Sequence, residues 1–265
     1  ADDQAVRRLR RVPGADRSPD PDRRTGARWQ EERWRAATGF PQASTQLTPT
    51  DPRAAIDAAV AEVSGRDAVM GAHIARVGRF DVRPGQGDHF QALVRSILYQ
   101  QLAGRAAAAI HARFIDAVGG SVTPAAVLAT ATDALRAAGL SNAKTLSITD
   151  LAKRVSDGTV PLEGIEAYED DEIVSRLVAV RGIGPWTAQM FLLFELRRLD
   201  VWPVGDLGVR HGWKLIYHLD EMPSAKELDL LGEKFRPYRT IPAWYSWQAV
   251  HILRGEFMLP EASPA

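Results

Sequence analysis

Apolar residues recur at helical spacing along most of the chain, and no segment alternates apolar and polar residues with a period of two. Helical spacing is typical of amphipathic helices, whereas alternation is typical of half-buried strands. We therefore expect an all-α fold with about ten to twelve helices. The predicted helices are 51–63, 67–77, 88–101, 105–118, 142–155, 171–180, 186–199, 207–219, 224–235 and 241–257, with N-caps at Thr123, Thr132 and Ser141 opening further short segments or the helix that follows.

The first 50 residues differ from the rest. They hold ten arginines and no lysine, are rich in Asp, Pro and Gly, and contain few aliphatic residues. Such a composition buries too little apolar surface to offset the entropy of ordering. We predict a mobile Arg/Pro-rich tail over residues 1–50 and a folded domain over 51–265. The arginines between Arg7 and Arg11 are either solvated or touch phosphate, and Trp29 and Trp34 could hold a short helix on the folded domain.

A helical hairpin over about 171–199 is the most informative segment. Its two helices are separated by Gly182-Ile183-Gly184, and Pro185 opens the second one. Glycine tolerates positive φ, so the turn can direct backbone N–H groups outward while Ile183 anchors it in a core. Such a turn before a helix N-terminus suits an anion such as a DNA phosphate. The alternative is an ordinary hairpin with a glycine C-cap. The second helix is apolar nearly all round, which predicts a buried central helix.

The amino-acid composition excludes several classes of protein and of metal site. The 265 residues include 33 Lys+Arg and 33 Asp+Glu, so nucleic acid would have to bind a local patch and not a basic field over the whole protein. The chain has no cysteine, which excludes disulfides, thiolate zinc sites and cysteine-ligated iron–sulfur clusters. No apolar run reaches the roughly 18 residues of a membrane span. We expect a soluble intracellular protein.

The hairpin RGIGPWTAQ and the segment VWPVGDLGVRHG resemble the helix-hairpin-helix (HhH-GPD) DNA glycosylase superfamily, in particular its 3-methyladenine DNA glycosylase II branch. The resemblance covers about residues 85–257. Its most specific part is the hairpin together with an aspartate, Asp206, that lies 20 residues after Trp186. It implies two helical lobes, with the hairpin and the aspartate at a cleft, and a role in base-excision repair. Longer members carry an N-terminal α/β domain, which we expect to be absent here.

The resemblance assigns Asp206 as the catalytic carboxylate. Locally the residue is equally well explained as the N-cap of the next helix, and both roles can hold at once. Breaking an N-glycosidic bond develops positive charge on the sugar, by analogy with the oxocarbenium-like states of other glycosidic cleavages. A charge pair at 4 Å is worth about 1 kcal/mol in water but about 4 kcal/mol at an effective dielectric of 20, so the site must exclude water. A methylated purine is already cationic, so no general acid is required.

The predicted base pocket consists of Trp186, Trp247 and Met190. Aromatic faces attract a cationic base by about 0.5 to 2 kcal/mol, although each tryptophan could instead be a core residue. Met190 lies where better-known members have an aromatic residue, so the lesion range could differ. Trp186 occupies the position of the Schiff-base lysine of members with lyase activity. The resemblance therefore implies a monofunctional glycosylase that leaves an abasic site.

Extruding a base leaves a gap in the duplex that an apolar side chain must fill. Leu102 matches the family's wedge position, although a leucine between two helices is usually a core residue. Gln100 and Gln101 beside it could contact bases or phosphates. Lys144 matches a position near the DNA backbone, although a solvated lysine is the simpler interpretation. The predicted DNA-binding residues are Gln101, Leu102, Gly182, Ile183, Gly184 and Thr187.

The family hairpin commonly holds a monovalent cation, Na⁺ or K⁺, through backbone carbonyls that here belong to Val178, Val180 and Gly182. We expect no required cofactor, a monomer, a cytoplasmic location with attachment to the nucleoid during action, and double-stranded DNA containing a damaged base as partner. Two alternatives stay open. One is a non-catalytic DNA-binding module that keeps the hairpin, and the other is a glycosylase for deaminated or oxidised bases.

Overall fold

The computed structural model describes residues 52–82, 88–102 and 104–255, which contain twelve α-helices and no strand. The prediction of an all-α fold is confirmed. The predicted tail over residues 1–50, with its arginine run and two tryptophans, lies outside the described residues, as does the predicted N-cap at residue 51. The helices are α1 Pro52–Arg66, α2 Ala68–Val77, α3 His89–Tyr99, α4 Gly104–Ala117, α5 Pro124–Ala129, α6 Thr132–Ala137, α7 Asn142–Ser156, α8 Asp170–Val178, α9 Pro185–Met190, α10 Leu207–Ile216, α11 Ala225–Gly232 and α12 Thr240–Leu253.

The chain divides into two compact helical units. The terminal unit combines residues 1–82 with 198–265, and the central unit is residues 83–197. The hairpin therefore belongs to the central unit, whereas Asp206 belongs to the terminal unit. Within the described ranges, no helix is both long and apolar enough to cross a membrane.

Polar side chains cap several helices where the sequence predicts. Thr123 accepts a hydrogen bond from Ala126 N at 3.1 Å, and Ser141 accepts one from Lys144 N at 3.3 Å. These bonds satisfy N–H groups that the first turn of a helix leaves unpaired. The predicted N-cap at Thr132 is wrong, because Ala131 takes that position without a side-chain bond. The threonine is instead the first residue of α6.

The second helix of the hairpin is shorter and less buried than predicted. After α9 the backbone widens into a π-helical segment, Phe191–Glu195, in which Leu196 N–H bonds to Phe191 O at 3.1 Å. Such a segment rotates the side chains that follow it out of α-helical register. Trp186 is 48% exposed and Phe194 is 40% exposed, so the prediction of a buried central helix that continues to Leu199 is wrong.

Two apolar cores support the units. In the central unit, five apolar residues recur at helical spacing along the predicted helix 88–101 and are all buried in α3: Phe90, Leu93, Val94, Ile97 and Leu98. In the terminal unit, α12 has nine buried residues among its 14. Trp213 of α10 is buried beside it and stacks on Tyr217, with ring centroids 4.5 Å apart. These helices carry the candidate site residues of their own unit.

Candidate active site and nucleic-acid interface

Asp206 is the N-cap of α10, the helix that begins within the segment VWPVGDLGVRHG. It is buried, with 9% of its surface exposed, and its backbone is extended at φ −76° and ψ 122°. Its Oδ1 accepts the Val209 N–H at 2.8 Å. The predicted N-cap role is therefore confirmed. A side chain held in this way has its position set by the start of α10 and not by a mobile loop.

Trp247, on α12, donates its indole Nε1–H to the same Oδ1 at 2.9 Å. The indole is partly buried. Hydrogen bonds to an ionised group are shorter and stronger than those between neutral groups. The structure thus places Trp247 beside Asp206, in contact through the edge of its ring, while Trp244 and Tyr245 on the same helix are buried core residues.

Two glycines of α10 allow this contact. A Cβ on Gly208 would lie 2.7 Å from Trp247 Cδ1 and 3.0 Å from Asp206 Oδ1. A Cβ on Gly212, one turn later on the same face, would collide with the backbone carbonyl of Ser246. Glycine inside a helix costs about 1 kcal/mol relative to alanine, so the pair signals a close helix crossing. The four-residue spacing of Gly208 and Gly212 is the signal in the sequence from which this crossing could have been found.

The hairpin turn has one left-handed glycine. Gly182 has φ 78°, whereas Gly184 has φ −96° and open space around its missing Cβ. The Ile183 side chain is 4% exposed, which confirms that it anchors the turn, and its N–H bonds to Val180 O at 3.1 Å. Within the described chain, the N–H groups of Gly182 and Gly184 bond to no protein acceptor. These two amides are thus the groups that a phosphate could reach.

Asp150 of α7, which the sequence analysis did not single out, fixes the start of this turn. Its Oδ2 accepts the Arg181 N–H at 2.8 Å and the Arg154 Nε–H at 3.0 Å. Burial raises the pKa of the Asp150 carboxyl, but these two donors outweigh burial and the net pKa is lowered. Lys153 and Arg181 are exposed around it, so the local surface beside the turn is basic.

The predicted wedge lies in a short loop at the end of α3, residues 100–102, which we call the wedge loop. Leu102 is 37% exposed, unlike the buried leucines of α3, and Gln101 beside it is also exposed. Lys144 is partly exposed, and its Nζ donates to Leu98 O at 2.7 Å and to Gln100 O at 2.8 Å, so its ammonium is held at the end of α3. Burial lowers the pKa of the Lys144 ammonium.

The remaining predicted site residues of the central unit follow the turn. Trp186 is about half exposed and is therefore not a core residue. Met190 is partly buried, and Thr187 is a buried residue with 5% of its surface exposed.

Two of the three backbone carbonyls predicted to hold a cation already accept one hydrogen bond each. Val180 O accepts from Ile183 N, and Gly182 O accepts from Gln100 Nε2 at 3.1 Å. A carbonyl has two lone pairs, so each retains capacity for a further ligand. Among the described residues, no three His, Cys, Asp or Glu side chains are grouped so that they could hold a metal ion.

These features define a class: an all-α protein with a glycine hairpin and a capping aspartate 20 residues after Trp186. Residues 94–237 match the family described as HhH-GPD superfamily base excision DNA repair protein. The chain belongs to this family, and the resemblance drawn from the two motifs is confirmed.

Relatives agree with this assignment. The chain is 35% identical to DNA-3-methyladenine glycosylase 1 of Schizosaccharomyces pombe over 162 residues, which cover 60% of this chain and 71% of the relative. The crystal structure of a DNA-3-methyladenine glycosidase from Bacillus halodurans superposes with a TM-score of 0.69 and 34% identity, covering 75% of this chain and 92% of that one. The S. pombe enzyme Mag1 in complex with abasic DNA superposes with a TM-score of 0.65 and 32% identity, covering 72% and 95%.

Proposed function

We propose that this protein is a monofunctional DNA glycosylase that hydrolyses the N-glycosidic bond of alkylated purines in duplex DNA and leaves an abasic site. The observation that carries the proposal is the buried Asp206 carboxylate, which Val209 N–H and Trp247 Nε1–H hold on one oxygen. Capping of α10 by itself accounts for the Val209 bond. The second donor comes from α12 and orients the carboxylate beyond what a helix cap requires, which favours a catalytic role over a non-catalytic DNA-binding module. The names of the relatives, which are DNA-3-methyladenine glycosylases, favour alkylated purines as substrates.

The reaction needs stabilisation of positive charge more than proton transfer. The bond from C1′ to the ring nitrogen breaks with its electron pair going to the base, so a cationic methylated base leaves neutral. The sugar becomes oxocarbenium-like, and the Asp206 carboxylate opposes that charge. Water then adds to C1′ and releases one proton. At 4 Å and an effective dielectric of 20, the charge pair is worth about 4 kcal/mol, or roughly a thousandfold in rate.

The residues present favour hydrolysis without a lyase step. A lyase requires an amine that forms a Schiff base with the sugar. Trp186, at the position after the hairpin, carries no amine. Lys144, in the same unit, has its Nζ bonded to two backbone carbonyls. We therefore propose that the abasic site is the end product.

Recognition of the base is proposed to rest on Trp186, Trp247 and Met190. The exposed ring of Trp186 can offer its face to a cationic base. Trp247 bonds to Asp206 through the edge of its indole, so the face of the same ring can contact the base while that bond is kept. Met190 is polarizable and adaptable, which suits bases of differing shape.

Binding of DNA is proposed to use the amides of Gly182 and Gly184 on phosphate, with Gln101 and Leu102 acting at the bases. Backbone N–H groups give affinity without reading sequence. We further propose that the protein acts as a monomer in the cytoplasm, on the nucleoid.

A monovalent cation at the hairpin is also a proposal. The carbonyls of Val178, Val180 and Gly182 would hold it, and oxygen ligands suit Na⁺ or K⁺. When bound, it would supply a positive charge next to a phosphate. The measurement is affinity for duplex DNA in K⁺, Na⁺ or tetramethylammonium at equal ionic strength, where tighter binding in K⁺ or Na⁺ is expected and equal affinity in all three would contradict the site.

The main test is single-turnover excision on duplexes that each contain one lesion: 3-methyladenine, 7-methylguanine, 1-methyladenine, hypoxanthine or ethenoadenine. We expect the wild type to excise cationic bases and Asp206→Asn to be about a thousandfold slower. Asp88→Asn is the matched control, because Asp88 also caps a helix by accepting an N–H at 2.8 Å and asparagine is an equally good cap. Its rate should equal that of the wild type.

Each other outcome decides against part of the proposal. Binding without excision of any base would indicate a non-catalytic module. Excision of hypoxanthine alone would indicate a glycosylase for deaminated bases. Covalent trapping of the protein on DNA by borohydride would show a lyase and refute the monofunctional assignment.

A further inference from the structure

The wedge loop is weakly held by its own backbone. Gln101 has a left-handed backbone with φ 57°, which a residue other than glycine keeps only when its surroundings hold it there. The hydrogen bonds from Gln100 N to Ile97 O and from Leu102 N to Tyr99 O are both 3.4 Å, at the long limit for such bonds. Contacts from outside the loop must therefore keep Leu102 in position.

Gln100 supplies those contacts from both of its ends. Its backbone carbonyl accepts from Lys144 Nζ at 2.8 Å, and the same ammonium caps Leu98 O at the end of α3. Its side-chain Nε2 donates to Gly182 O at 3.1 Å and lies 3.4 Å from Thr187 Oγ1. A carbonyl oxygen only accepts, so the amide nitrogen and not the amide oxygen faces Gly182.

Helix α7 completes the connection between the wedge loop and the hairpin. It carries Lys144, which holds the loop, and one turn later Ser147, whose side chain lies where a Cβ on Gly182 would have to be. The loop, the turn and α7 therefore contact one another pairwise. A displacement of the turn would change the hydrogen bonds of Gln100 directly.

We propose that Gln100 is a positioning residue that links the wedge loop to the hairpin turn. When the turn binds a phosphate, this link places Leu102 at the gap that the extruded base leaves in the duplex. This inference rests on the proposed function. It differs from the sequence-based hypothesis that Gln100 itself contacts bases or phosphates, because the donor end of its side chain is engaged with the protein. Gln100 acts on the reaction through Leu102 and touches no reacting atom.

The test compares two duplexes that contain a lesion which the wild type excises. In one the lesion faces its normal partner, and in the other it faces an abasic-site analogue, where the base extrudes without help. Gln100→Met keeps the length of the side chain and removes the donor. We expect single-turnover excision to be about tenfold slower on the first duplex and unchanged on the second, as the loss of one hydrogen bond predicts. Affinity for undamaged duplex should not change.

A double variant tests whether Gln100 acts through the wedge. In a Leu102→Ala background, Gln100→Met should cause no further slowing, since the side chain that it positions is already absent. Gln91→Met, at the opposite end of the same helix, is the matched control and should behave as the wild type. Equal slowing on both duplexes, or effects that multiply in the double variant, would overturn the inference. If thermal unfolding shows that Gln100→Met is misfolded, Gln100→Glu removes the donor at the same size.

A second readout separates this inference from the proposed function. A 2-aminopurine placed next to the lesion becomes brighter when the stack opens, whether or not a base is excised. We expect the wild type to raise this fluorescence and Gln100→Met to raise it less. A protein that opens the stack but excises no base would refute the proposed function and keep the inference. An equal signal from wild type and Gln100→Met would refute the inference while leaving the proposed function intact.

Discussion

The indole Nε1–H of Trp247 lies 2.9 Å from Oδ1 of Asp206, on an oxygen that the Val209 N–H also contacts. The first donor comes from α12 and the second from the turn that Asp206 itself caps. The orientation of the proposed catalytic carboxylate is therefore set by tertiary packing as well as by local capping. This relationship leads to two tests of the site within the terminal unit.

Trp247→Phe should slow excision without preventing folding. The substitution keeps an aromatic face but removes the N–H donor, and a hydrogen bond to a charged group is worth about 1.5 to 3 kcal/mol. We expect single-turnover excision to fall about tenfold to a hundredfold. Trp202→Phe is the control, since Trp202 Nε1 also donates at 2.9 Å but to Leu228 O in the core. That variant should lose stability and keep its rate once folded, and equal slowing by both would argue against a special role of Trp247.

The two glycines of α10 should respond differently to alanine. In Gly208→Ala the new Cβ would press on the Trp247 ring and on Asp206 Oδ1, so we expect at least a tenfold loss of excision with a loss of about 1 kcal/mol in stability. In Gly212→Ala it would meet the backbone of Ser246, which has little freedom to shift, so we expect a loss of about 3 kcal/mol. Urea denaturation and single-turnover assays measure the two effects. A loss of excision rate in Gly212→Ala but not in Gly208→Ala would contradict the prediction that Gly208 mainly affects the rate and Gly212 mainly affects stability.

His89 should make the central unit less stable at high pH. Its Nδ1 lies 2.9 Å from Glu195 Oε1 and its Nε2 lies 2.7 Å from Glu166 Oε1. Burial by itself lowers the pKa of His89, but the hydrogen bonds and charges of the two glutamates outweigh burial and raise it above the usual 6.5. The stabilisation is therefore complete below pH 6.5 and is lost as the pH rises through the raised pKa.

Urea denaturation of the wild type and of His89→Gln at pH 6 and pH 9 measures this effect. We expect the wild type to exceed the variant by about 1 kcal/mol or less at pH 6, because solvent screens the partly exposed pair, and by less at pH 9. A difference that grows with pH would have the opposite sign and would refute the assignment.

Asp67 should make the terminal unit sensitive to acid. Its carboxylate caps α2 by accepting Met70 N–H at 2.7 Å and pairs with the Lys234 ammonium. Burial raises the pKa of Asp67, but the Lys234 and Met70 hydrogen bonds together outweigh it and lower the pKa below 3.8. The stabilisation is therefore full above pH 3.8 and is lost as the pH falls through the lowered pKa.

Asp67→Asn removes this charge but keeps a good N-cap. We expect a loss of about 2 kcal/mol in the free energy of unfolding at pH 7, which shrinks as the pH approaches 3. Asp88→Asn, at a cap with no lysine partner, should cost much less. A pH-independent difference would show that the cap geometry and not the charge matters.

Several features could be predicted because they depend on neighbouring residues only. The inner face of α3 follows from its apolar spacing, and the caps at Thr123 and Ser141 follow from short polar side chains ahead of apolar runs. The role of Asp206 as a cap follows in the same way. The prediction failed at the second hairpin helix, because a π-helical segment is a response to packing that the apolar pattern does not encode.

The sequence by itself determined the helical class, the hairpin with its buried Ile183, and the family, since helical periodicity, capping and glycine turns act over about four residues. The tertiary structure decided which side chains serve the site. Trp247 reaches Asp206 across 41 residues and Gln100 reaches Gly182 across 82 residues. Contacts at such separations depend on how helices cross, and at Gly208 and Gly212 the crossing is set by the absence of a single carbon atom.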